Sequence, residues 1–87
     1  MPDLPRDIRH PRYARLRALL IAARKAAGLS QAVVAERLRR PQSYVADIER
    51  NERRVDVIEF LSLAEAIGFD PGEVLREVAS INPDDHG

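Results

Sequence analysis

Between Gly28 and Arg54 the chain reads Gly-Leu-Ser-Gln-Ala-Val-Val-Ala-Glu-Arg-Leu, then Arg39, Arg40 and Pro41, then Gln-Ser-Tyr-Val-Ala-Asp-Ile-Glu-Arg-Asn-Glu-Arg-Arg. This predicts two short helices joined by a tight turn. The arrangement holds the second helix out from a small core, so that its exposed face is offered to a groove or to a partner.

The flanking residues set out the other elements. Pro2, Pro5 and Pro11 keep the start of the chain out of helix, leaving an arm over residues 1–11 that carries Arg6, Arg9 and His10. Pro11 suits a first helical position, where a missing N–H is harmless. Tyr13, Leu16, Leu20, Ala23 and Ala27 then recur at spacings of three and four, which puts them on one helix face, and Gly28 ends that helix. Ser30 is a good N-cap for a second helix with Val34, Ala35 and Leu38 inward. Pro41 opens a third, whose Val45 and Ile48 share the core side.

Two acid-x-x-Glu starts follow, Asp56 with Glu59 and Asp70 with Glu73, and Gly68 closes the helix between them. Val57, Phe60, Leu61, Ala64, Ile67, Val74, Leu75 and Val78 are the expected apolar faces of these two helices. Leu19, Ile21 and Leu63 fall off the main stripes, as core or as a dimer seam. Nothing alternates with a period of two, so the expected fold is all-α: five helices packed over residues 12–80, with a frayed tail over 81–87.

Composition narrows the function classes. A chain of 87 residues closes one modest core. With no cysteine, disulfides, thiolate nucleophiles and zinc-thiolate sites are excluded. The longest apolar run, Ala18 to Ala23, is too short to cross a bilayer, and the start lacks the hydrophobic stretch of a secretory signal, so a soluble cytoplasmic protein is expected. The two histidines, His10 and His86, fall in the expected arm and tail, and no His-x-x-x-His pair or glycine-rich phosphate loop is present. Acid pairs such as Asp84 with Asp85, or Glu49 with Glu52, read as solubilising. No enzyme, metal or cofactor is therefore expected.

The formal net charge is zero, yet its distribution is polar. Residues 1–54 hold thirteen Lys and Arg against six Asp and Glu, a net +7, and residues 55–87 hold one Arg against eight acids, a net −7. The basic half contains the paired short helices, so a local positive footprint is compatible with a neutral chain. The run Arg6, Arg9, Arg12, Arg15 and Arg17 reads either as a solvated helix face with its arm or as a groove-binding arm.

Five segments carry a resemblance: Gly28-Leu29-Ser30-Gln31, Val34-Ala35-Glu36-Arg37-Leu38, Pro41-Gln42-Ser43-Tyr44-Val45, Ile48-Glu49-Arg50 and Leu63-Ala64-Glu65-Ala66-Ile67-Gly68-Phe69-Asp70-Pro71. In order and spacing, residues 16–78 resemble the XRE/Cro-type helix-turn-helix family, the compact five-helix domain of lambdoid phage repressors and many bacterial regulators. The resemblance implies that Gln31 and the first backbone N–H groups of the second helix meet a phosphate. It implies that Gln42, Ser43 and Asp47 read base edges, with Gln42 suited to adenine. It assigns Tyr44, Arg50, Arg53 and Arg54 to the DNA backbone, and Arg24 with Glu49 to a structural ion pair between the first and third helices.

Three residues depart from the family pattern. Asp47 replaces the usual Lys, Gln or Asn and sets a negative charge toward a polyanion, although a carboxylate accepts a hydrogen bond from a cytosine amino group. Arg39 stands where the turn usually has glycine and is expected to be left-handed. Val33 replaces the Glu that would complete a capping box with Ser30, and its exposed side chain is a contact candidate.

Two functions are consistent with this pattern. In one, a homodimer places two third helices in successive major grooves of a pseudo-palindromic operator. In the other, operator binding is lost and the chain, through Val33 and Asp47, sequesters another regulatory protein as an antiactivator or an antitoxin-like adaptor.

Overall fold

A computed structural model describes residues 10–82. Arg6, Arg9 and His86 lie outside the described residues. Five helices run in order: α1 (Pro11–Ala26), α2 (Gln31–Leu38), α3 (Gln42–Glu49), α4 (Val57–Ile67) and α5 (Pro71–Ala79). No strand occurs among the described residues.

Most helix ends are fixed by the side chains expected to fix them. Pro11 is the first residue of α1, and the His10 ring accepts the Arg12 N–H at 3.1 Å. Ser30 accepts the Val33 N–H at 3.1 Å to start α2. Asp56 and Glu59 form a reciprocal capping box on α4, which ends at the left-handed Gly68. At α5 the expected box does not close: Asp70 accepts from the Gly72 N–H at 2.8 Å, one residue short of Glu73. α2 ends at Arg39, left-handed with φ 57° and ψ 44°, while the Arg40 N–H reaches the Ala35 carbonyl at 2.9 Å. That closure is a Schellman motif built on a non-glycine residue.

The core gathers Leu20 from α1, Val34 and Ala35 from α2, Tyr44, Val45 and Ile48 from α3, and Phe60, Leu63 and Ile67 from α4. Leu16, Ala23, Leu29, Leu38, Val55, Phe69 and Val74 pack around it. Leu63 is thus core. Three residues expected on the apolar faces of the last two helices are not: Val57 is 71% exposed, Leu61 40% and Leu75 49%. Because α4 carries apolar residues around most of its circumference, its own sequence leaves the choice of inward face to its neighbours.

No residue of α5 is fully buried, and it is tied instead to α1. Arg12 donates to the Ile81 carbonyl at 3.0 Å and the Ala79 carbonyl at 3.2 Å, and Arg15 pairs with Glu77 at 2.6 Å. A cation at the end of a helix satisfies carbonyls that have no partner within it. Ile81, expected to fray, is thereby held to α1.

Candidate nucleic-acid interface

α3 is presented by two anchors. On its inner side Tyr44, Val45 and Ile48 enter the core. At its C-terminal end Glu49 meets Arg24 of α1 in a two-pronged ion pair, Nε to Oε2 at 2.5 Å and Nη2 to Oε1 at 2.9 Å, with the side chains only 12% and 10% exposed. Arg24 also donates to the Leu29 carbonyl at 2.8 Å, and Gln31 donates to Glu49 at 2.9 Å. The Arg24–Glu49 pair thus joins α1, the loop after it, the start of α2 and the end of α3. Burial pushes the Glu49 carboxyl up, but the hydrogen bonds from Arg24 and Gln31 outweigh it, so the group is held below the ordinary glutamate value.

This geometry places each expected contact residue. Gln42 and Ser43 are exposed in the first turn of α3, which starts after Pro41 with no side-chain cap. Asp47 lies one turn beyond Ser43, with its carboxylate 2.6 Å from the Arg50 guanidinium. Arg50 also lies 3.7 Å from Glu52. Arg53 pairs with Glu59 at 2.7 Å, while Arg54 is exposed. Gln31 is half-buried with one amide N–H already given to Glu49, which leaves the other for an external acceptor. Val33 is exposed, at 38%.

Tyr44 requires a correction. Expected to grip a phosphate, it is 8% exposed and belongs to the core. Its neighbour Val45 and its i+4 partner Ile48 define the buried stripe, and Tyr44 lies on that stripe. The guanidinium groups of Arg40 and Arg53 lie 4.9 and 4.7 Å from its ring centroid, so the ring holds two cations at the surface instead of reaching out itself. Burial and the nearby Glu59 carboxylate raise the Tyr44 hydroxyl above its ordinary value, so it stays neutral at physiological pH.

Arg39 and Arg40, exposed in the turn, complete the basic rim. The sequence signal for this rim is Arg-Arg-Pro between two short helices. Arg39, Arg40, Arg50, Arg53 and Arg54 thus bracket the polar first turn of α3 in sequence, all five exposed. Of the remaining described arginines of the N-terminal run, Arg12 and Arg15 serve α5, whereas Arg17 donates to the Glu49 carbonyl at the end of α3 at 3.5 Å.

The helix-turn-helix family HTH_3 matches residues 20–74, the span from mid α1 into α5. The chain belongs to the XRE-type helix-turn-helix family. Among solved structures this XRE-type chain is similar to an XRE-family like protein from Pseudomonas syringae pv. tomato str. DC3000. The TM-score is 0.77 at 47% identity, covering 83% of this chain and 88% of that one. It is also similar to the clp gene regulator ClgR from C. glutamicum, with a TM-score of 0.69 at 27% identity, covering 84% of this chain and 90% of that one. Comparison with curated proteins returns no match. No single helix among the described residues is long and apolar enough to cross a membrane.

Proposed function

We propose that this chain is a DNA-binding transcription regulator that docks α3 in the major groove. It works in the cytoplasm as a homodimer on a pseudo-palindromic operator. The observation that carries this reading is the exposed pair Gln42 and Ser43 on a helix locked by the Arg24–Glu49 pair and bracketed by exposed arginines. Gln42 and Ser43 read base edges, whereas Arg39, Arg40, Arg53 and Arg54 meet phosphates. Family membership and the likeness to a gene regulator support the same reading.

The test is anisotropy of labelled promoter duplexes across a salt series. Binding is expected at low salt with affinity falling steeply as salt rises, and Gln42→Ala is expected to blunt sequence preference while Arg54→Ala weakens all duplexes alike. Absence of binding at low salt, or binding indifferent to salt, would overturn the reading.

A second reading is favoured by one observation. Val33, Val57 and Ile58 are exposed apolar side chains, as a protein-docking face would require. Under that adaptor reading, the unmodified chain captures a regulatory protein without binding its promoter duplex, and Val33→Glu abolishes that capture.

A further inference from the structure

We propose that Asp47 is a counter-ion built into the recognition face, which withholds Arg50 from DNA until a base in the groove offers a hydrogen-bond donor in its place. The inference rests on the DNA-binding reading above. Its starting point is a contrast among the acids near α3. Glu49 is spent on Arg24 and Gln31, Glu59 closes the α4 capping box while holding Arg53, and Glu52, in the loop beyond α3, stands farther from Arg50 than Asp47 does, at 3.7 Å. Asp47 caps no helix and anchors no element: among the described residues its carboxylate accepts only from Arg50, at 2.6 Å. Both side chains remain open to solvent, at 36% and 58%.

Position makes this pair consequential. Ser43, Asp47 and Arg50 follow one another at four and three residues along α3 and its end, so they form one stripe beginning in the turn that would enter the groove. An ionised carboxylate only accepts hydrogen bonds. Guanine and thymine edges offer acceptors there, adenine sets its amino group beside an acceptor, and cytosine alone offers a donor without one. Over most sequences, Asp47 therefore meets acceptors and phosphates, and it keeps Arg50 neutralised. Over a cytosine it turns to the amino group, and Arg50 is released to a phosphate. Affinity for indiscriminate DNA is lowered more than affinity for a matching site, which is a gain in specificity.

The test compares the full chain with Asp47→Asn, and with Asp47→Asn combined with Arg50→Ala, on a duplex of random sequence; circular dichroism verifies folding. Asp47→Asn is expected to bind the random duplex about tenfold more tightly and to steepen the salt dependence by roughly one phosphate contact. Adding Arg50→Ala removes both gains. Selection from a randomised duplex pool is expected to return a fixed cytosine for the unmodified chain and to lose it for Asp47→Asn.

Unchanged random-duplex affinity and salt slope, or gains that survive Arg50→Ala, overturn the counter-ion role while leaving the DNA-binding reading intact. Binding of the random duplex by Asp47→Asn alone upholds the role and overturns operator recognition by the unmodified chain. Binding of no duplex by any of the three proteins overturns both.

Discussion

Glu49 shows how one side chain serves both fold and function. It carries the charge least welcome beside DNA, yet it is consumed by Arg24 and Gln31. Replacement by Gln leaves the half-buried Arg24 guanidinium with a weaker acceptor, for an expected loss of about 2 kcal/mol in urea unfolding at neutral pH. The sign of the pH dependence follows from the lowered Glu49 carboxyl. A depressed folded-state value contributes stability that is present above the ordinary 4.5 and lost as pH falls through the folded value. Urea midpoints measured from pH 7 downward should therefore drop below about pH 4.5, with a shallower drop for Glu49→Gln. Equal drops in the two proteins would show that other carboxylates, such as Glu59, govern the acid limb. Arg24 with Glu49 was readable because the resemblance names both ends. Gln31 as a third partner was not, since its distance from Glu49 depends on the crossing of α2 and α3 and not on spacing within either.

At the level of elements, the sequence was most legible where a single residue has only one use. Ser30, Asp56, Gly68 and Pro11 mark helix ends by their own stereochemistry and appear where expected. It was least legible on α4, where Phe60, Leu63, Ala64 and Ile67 go inward while Val57, Ile58 and Leu61 face out, because hydrophobicity all round leaves the helix rotation to its neighbours. Tyr44 was misplaced for a related reason: an amphipathic ring suits either side of a surface helix, and only its fit beside Arg40 and Arg53 decides.

The turn before α3 carries its own prediction. Arg39 holds a left-handed conformation that glycine adopts freely. Arg39→Gly should raise stability by roughly 0.5–1 kcal/mol in thermal unfolding, the relief of strain being reduced by the entropy glycine loses on folding. The same change should weaken DNA binding at low salt. A less stable variant would mean that the Arg39 side chain contributes more than its backbone strain removes.

The last helix makes a different case. α5 has no fully buried residue and depends on Arg12 at its terminal carbonyls. In native-state hydrogen exchange, its amides should open at lower free energy than those of α4. Arg12→Met should speed their exchange about five- to tenfold, corresponding to about 1 kcal/mol for the lost charged hydrogen bonds to a partly exposed helix end. An effect spread evenly over all five helices would instead place α5 in the global unfolding unit.

For the molecule as a whole, the division of charge along the chain acquires a spatial sense. α5 returns to α1 and supplies Glu77 to Arg15 and helix-end carbonyls to Arg12, so acidic sequence offsets basic sequence away from α3. The arginines of the turn and of the loop after α3 stay exposed. Zero net charge and a cluster of exposed arginines around α3 therefore coexist. One cluster of exposed apolar side chains lies on α4: Val57 and Ile58, each 71% exposed, and Leu61, at 40%, at the start of the helix directly after that loop. Fully burying one such aliphatic side chain is worth about 1.5–3 kcal/mol, but a stable dimer also needs roughly 800 Å² from each partner, more than these side chains supply without a polar rim. Under the homodimer proposed above, this face is the candidate contact between copies, with polar residues around it completing the interface. Ile58→Lys should shift sedimentation from a dimer toward the 9.8 kDa chain and weaken binding to an operator carrying both half-sites far more than to a single half-site. If the unmodified chain already sediments as a monomer at every concentration and favours neither duplex, this face does not join two copies.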